Sequence, residues 1–208
     1  FANRGNYALA VADRDPARVW TTIATGQTPS VVQSGTVFAA TGSNDTGQRH
    51  YWIPSIMVSG QGHAAMGFST AGTSEYANAA TVGRLAGDTL GTMQTPLLYT
   101  ASSSAYNPPG NPGTASGRRW GDYSYTSVDP CDDMTMWTIQ EFTESTNNYG
   151  VRAAQLIAPP PATPSSVSSP TLGNSYSSIG LVVTGTVTSG SGFFDPGAGF
   201  GCRITATV

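Results

Sequence analysis

The sequence predicts an all-β protein of antiparallel sheets, and three observations carry that expectation. Windows with apolar residues at i, i+3, i+4 and i+7 are interrupted throughout by Gly, Pro or Ser/Thr clusters. Short runs rich in β-branched and aromatic residues recur, each bounded by turn-forming residues. A multi-strand unit also occurs twice, about 70 residues apart.

Along the chain, Tyr7–Ala12 reads as a strand that stops at the turn Asp13–Pro16. Arg18–Ile23 follows as a strand ending before Gly26. Ser30–Phe38 is the next, with Gly35 expected as a bulge. Gly42–Gly47 is a loop. Trp52–Val58, the tight turn Ser59–Gly62 and His63–Ser69 make a β-hairpin, and Ala79–Leu85 closes that unit. Met93–Thr100 is expected as a further strand. Ala101–Gly117, rich in Pro, Gly, Ser and Asn, is expected as a long exposed loop.

The unit then returns. Tyr123–Val128 is a strand, Asp129–Asp133 a turn, Met134–Phe142 a strand, Thr146–Asn148 a loop and Tyr149–Leu156 a strand. Two copies of such a unit are what successive β-propeller blades look like. The prolines of Ala158–Pro164 bias the chain to extended polyproline II and mark a boundary. Beyond it, Ser177–Val187 and Gly201–Val208 read as strands around a compact turn at Phe193–Phe200. The expected organisation is therefore propeller-like blades over 1–157, a Pro/Ser-rich linker over 158–172 and a small β-sandwich-like domain over 173–208. The chain starts within what reads as folded sequence and stops in a running strand, so further blades upstream and a longer final domain are expected.

Composition narrows the function classes. Only 10% of residues are charged, against about 25% in an ordinary cytosolic domain. There is no lysine, and the arginines are scattered, so the electrostatic footprint of a nucleic-acid binder is missing. No apolar run approaches the roughly 18 residues that span a bilayer. The low charge and the Ser/Thr/Gly-rich strands point to an extracellular or cell-surface location. Cys131 and Cys202 lie on opposite sides of the Pro-rich boundary. Two readings stand: a disulfide tying the tail to the blades, worth up to about 4 kcal/mol on the chain-entropy model, or two unrelated buried thiols.

The segment Arg118–Ser124, followed by Ser127–Pro130, Asp132-Asp133 and Met136–Thr138, resembles a signature of large secreted bacterial proteins, in which an RWGDYS…VDPxDD stretch closes a sialidase-like propeller region. Tyr51–Ile56, Ala65–Ser69, Ser74–Tyr76 and Gly83–Leu85 resemble the preceding blade of that group, Gly91–Met93 the link, and Gly190–Phe200 the β-domain that follows. The resemblance implies export and a modular surface protein of a group mostly without an assigned reaction. Members often carry a Cys after the Asp-Asp pair, where this chain has Met134; here Cys131 precedes the pair.

Candidate chemistry is sparse. A sialidase clamps a carboxylate with arginines and uses a Tyr nucleophile with a Glu neighbour and an Asp acid. Arg118, Arg119, Tyr123, Glu141 and Asp122 supply those residue types, but without a signature spacing. The plainer reading packs Trp120 and Tyr123 between sheets and makes Asp122 a turn cap. Asp129, Asp132 and Asp133 are candidate Ca²⁺ ligands, and equally ordinary turn residues. His50 and His63 show no metal-site spacing, and no nucleophile elbow or dinucleotide fingerprint occurs. Tyr99, Tyr106 and Trp120 could stack on sugar rings or belong to the core. The expected function is a non-catalytic structural, adhesion or assembly module, partnered by other subunits, including further copies in an oligomer or filament, or by surface glycans. The alternatives are the C-terminal part of a secreted hydrolase (a sialidase-like glycosidase or a peptidase) and a carbohydrate-binding module.

Overall fold

The structure, a computed structural model, describes residues 6–12, 18–24, 30–38, 49–72, 74–109, 119–121, 123–160, 162–168 and 182–186. Among these there is no helix, and the chain is all-β. Three antiparallel meanders follow one another. The first comprises β1 (Asn6–Ala12), β2 (Arg18–Ala24) and β3 (Ser30–Val37) in the order β1-β2-β3. The second comprises β4 (Arg49–Val58), β5 (Ala64–Gly72), β6 (Glu75–Arg84) and the two-residue β7 (Leu97–Leu98), in the order β4-β5-β6-β7. The third comprises β8 (Tyr125–Val128), β9 (Met136–Ser145) and β10 (Asn148–Leu156), in the order β10-β9-β8. A two-stranded ribbon joins β11 (Thr163–Ser168) to β12 (Val182–Thr186).

The first meander lies against β4, the third against β4, β5 and β6, and β5 sits at the centre. Every residue from Ala64 to Thr70 is buried, and cross-strand register shows why both faces are covered. Met66 stands opposite Val82 and Phe68 opposite Ala80. On that face they cluster with Val37 of β3, Tyr51, and the partly buried Ile56 and Met93. The rings of Tyr51 and Phe68 are 4.8 Å apart, centre to centre. On the other face, Ala65 packs with Val128 of β8, Met136 of β9, Met57 and Leu156. A strand covered on both sides carries a continuous small-and-apolar run instead of an alternation, and Ala64–Phe68 is such a run.

Gly67 makes the second contact close. A Cβ on Gly67 would lie 2.0 Å from Thr138 Oγ1 and 2.5 Å from Gln140 Nε2. Next to it, β4 carries a bulge. Trp52 pairs with Ser69 and Ser55 with Gly67, leaving Ile53 and Pro54 opposite the single residue Phe68. Ile53 sits at φ 51°, an outlier for a β-branched residue. Pro54, which has no N–H to give, occupies one of the few strand positions that tolerate it. The bulge turns Ser55 toward β8. The Thr126 N–H donates to Ser55 Oγ at 2.8 Å, and Thr126 Oγ1 donates to the Ser55 carbonyl at 3.0 Å. Thr126 and Thr138 share a hydroxyl–hydroxyl bond at 2.9 Å, and Gln140 Nε2 donates to Thr138 Oγ1 at 3.0 Å. The second and third meanders are thus joined by a buried polar row.

Several expectations change. Gly35 pairs in register with Trp20, and the irregularity falls at Val32 instead, between Val31 and Gln33. The strand expected over Met93–Thr100 shrinks to Leu97–Leu98, because Pro96 brings no N–H to the ladder and the flanking Gln94 and Tyr99 N–H groups bond singly to Gly83 and Ala79. Part of the stretch read as linker is strand β11, with a bulge at Ser165 beside Pro164. Tyr123, expected between sheets, is 87% exposed. The loop 42–47, most of the loop beyond 109, Arg118, Asp122, Cys202 and the tail 187–208 lie outside the described residues.

Candidate functional site

The turn Asp129–Asp133 spends the carboxylates of Asp129 and Asp132 on nearby backbone N–H groups and on the side chains of Trp137 and Thr135. Asp129 Oδ1 accepts from the Cys131 N–H at 2.9 Å and Oδ2 from Trp137 Nε1 at 3.2 Å. Asp132 Oδ1 accepts from the N–H groups of Met134 and Thr135, both at 2.9 Å, and Oδ2 from the Thr135 hydroxyl at 2.6 Å. Burial works against the charged form of Asp132, but the bonds from Thr135 and Met134 outweigh it and hold the carboxyl below the usual range. Asp133 turns the chain at φ 55°, and its carbonyl takes the Gly60 N–H at 2.9 Å. The three aspartates therefore shape a turn that docks on the β4–β5 hairpin. Among the described residues no three His, Cys, Asp or Glu side chains converge as a metal cage would. Cys131 is exposed in this turn.

Tyr106 and Trp120, the stacking candidates, meet each other. Their rings stand edge to face, 5.0 Å apart, and Trp120 contacts Trp52 in the same manner at 6.2 Å. Trp120 Nε1 donates to Ser69 Oγ at 3.1 Å, which in turn donates to the Glu141 carbonyl at 3.3 Å. Both stacking candidates are half-buried, so this cluster fastens the loops to the second meander. Tyr99 is fastened as well, its hydroxyl reaching the Arg152 carbonyl at 3.3 Å, and burial pushes its phenol pKa up. Of the hydrolase candidates, Arg119 and Tyr123 are exposed, and the Glu141 carboxylate lies against Gly121, where a Cβ would be 2.1 Å from it.

The hairpin turn holds one buried titratable group. Gly62, at φ +85°, closes the turn, and the following His63 is 1% exposed. Its Nδ1 accepts the Ala86 N–H at 2.8 Å. Burial lowers its pKa, with Asp88 opposing and Arg84 adding to the effect. The folded state therefore prefers the neutral ring. Stability is full above the ordinary imidazole pKa and falls as pH drops below it toward the folded-state value, by at most about 1.4 kcal/mol per pH unit. His63→Asn keeps an acceptor for Ala86 and carries no such charge. Urea unfolding between pH 5 and 7.5 is expected to show a shallower pH dependence in that variant than in the parent.

The outer face of the third meander is where the sequence pattern and the structure part most clearly. In β9 the buried set is Met136, Thr138, Gln140, Phe142 and Thr143, while Trp137 and Ile139 face outward, each 42% exposed. Register places Tyr125 and Ala153 on either side of Ile139, and Ser127 and Gln155 on either side of Trp137. Tyr125 and Val151 are 65% and 57% exposed. An apolar, aromatic sheet face is thus open, while much of the covered face is polar. The alternation of Met134–Phe142 gave the strand but not which face turns inward, because that depends on Gly67, some 70 residues away in the chain. No protein-family model, curated protein or solved structure matches the chain.

Proposed function

We propose that the chain is a non-catalytic assembly module of a secreted or cell-surface protein, which works by stacking its third meander against a β-sheet of a second copy. The observation that carries this reading is the outward apolar face of β9 and its neighbours. In the interior of the stack a sheet is covered on both sides, and the face bearing Tyr125, Trp137, Ile139 and Val151 continues that series with none of the described residues over it. Full burial of a large apolar side chain is worth about 1.5–3 kcal/mol, and each of these, already partly covered, contributes a fraction of that when such a contact removes the remainder from water. Meanders stacked in chain order are also how blades of a sialidase-like propeller are arranged, and β12 falls within 173–208, the stretch we read as a small trailing β-domain. Low charge and the Ser/Thr/Gly-rich strands support the extracellular location.

Sedimentation velocity over a range of concentrations tests it. The parent chain is expected to associate, and the double variant Trp137→Asp/Ile139→Asp to stay monomeric with an unchanged far-ultraviolet spectrum. A parent chain that remains monomeric throughout would remove the reading. If it then pelleted with an insoluble polysaccharide through Trp137, carbohydrate binding would take its place.

A further inference from the structure

Between the second and third meanders lies a cavity of about 480 Å³, within the size range of small-molecule sites. Its apolar wall includes Val82, Leu85, Met136 and Leu156, and its polar groups include His63 and Arg84. Arg84 is the unusual member. It is 4% exposed. Its Nη2 donates to the Asp88 carbonyl at 2.7 Å, and its Nε has no hydrogen-bond partner among the described residues. No ion pair involves it there either. The nearby Asp88 carboxylate is turned to the Leu85 N–H at 2.8 Å and to Gln94 Nε2 at 3.5 Å.

A buried guanidinium is costly unless an anion answers it. Arginine presents its donors as a planar fork that matches a carboxylate. We propose that this cavity is a binding site for a carboxylate carried on an apolar body, with Arg84 holding the carboxylate and the aliphatic wall holding the rest. His63, neutral and accepting through Nδ1, adds no second charge, so a monoanion suffices. Two sources share that chemistry: a free small carboxylic acid, and the C-terminus of a peptide ending in an apolar residue. This inference is independent of the stacking proposed for the outer face.

Calorimetric titration of the full chain with hexanoate and with 1-hexanol tests it. Hexanoate is expected to bind saturably, and at least tenfold more tightly than the alcohol. Arg84→Met, close in volume, is expected to fold with a melting temperature no lower than the parent's and to lose at least tenfold in hexanoate affinity. Should that variant not fold, the parent alone decides: hexanoate is expected to shift the His63 ring and Met136 methyl resonances together and saturably. A short peptide with an apolar C-terminal residue, compared with its C-terminal amide, separates the sources. Tighter binding of the free acid than of hexanoate assigns the site to peptides, and weaker binding assigns it to small acids. Equal response to hexanoate and hexanol, no saturable binding of either, or unchanged hexanoate affinity in Arg84→Met would overturn the proposal.

Discussion

Phe68→Ala is expected to lower the unfolding free energy by about 3–5 kcal/mol, the usual cost of emptying a fully buried aromatic site. Phe68 is 0% exposed and lies between Tyr51 and Ala80, within the cluster that Val37 joins from the first meander. Little in that cluster can collapse into the space. Its neighbours Tyr51, Met66 and Val82 hang from strands held by paired ladders on either side of β5, interrupted by the β4 bulge opposite Phe68. A domain of ordinary stability holds only about 5–15 kcal/mol, so chemical denaturation should show a midpoint moved far toward zero denaturant. A loss below about 1 kcal/mol would mean that the first meander does not close over this face in solution.

Gly67→Ala attacks the opposite face from the adjacent position. The added methyl would stand 2.0 Å from Thr138 Oγ1 and 3.0 Å from Thr138 Cβ, so either the strands separate or the polar row breaks. Overpacking of this kind costs about 1–3 kcal/mol. Losing the bonds of Thr126 and Gln140 to Thr138 would leave buried polar atoms unmet, at about 1–3 kcal/mol each. Hydrogen exchange can tell the two variants apart. Phe68→Ala should raise exchange in β2 and β3, and Gly67→Ala in β8 and β9. Uniform loss of protection in both would show that the stack unfolds as one unit.

The hairpins were legible because their signals are local. The glycines of Ser59–Gly62, the Asp-rich turn before Thr135 and the run Ala64–Phe68 each act over a few residues. Bulges were less legible. Gly35 drew attention, yet the extra residue sits at Val32, since the register of β2 against β3 is settled by the whole ladder. Pro54, inside a run that reads as strand, was the better marker, because the missing N–H confines proline to edge positions, strand starts and bulges. The site features were the least legible. The outward turn of Trp137 and Ile139 and the burial of Arg84 both follow from contacts between segments far apart in sequence. Neither leaves a motif.

The row of half-buried Ser55 and buried Thr126, Thr138 and Gln140 has a mechanical consequence. Apolar contact is non-directional, so two greasy sheets can shear past one another at little cost. Hydrogen bonds demand short distances and near-linear geometry, and a shift of one residue along the strands would break this row at every member. The third meander is thereby indexed to a single offset on the second, and the aromatic face it carries on its far side is aligned with the rest of the stack to within the tolerance of a hydrogen bond.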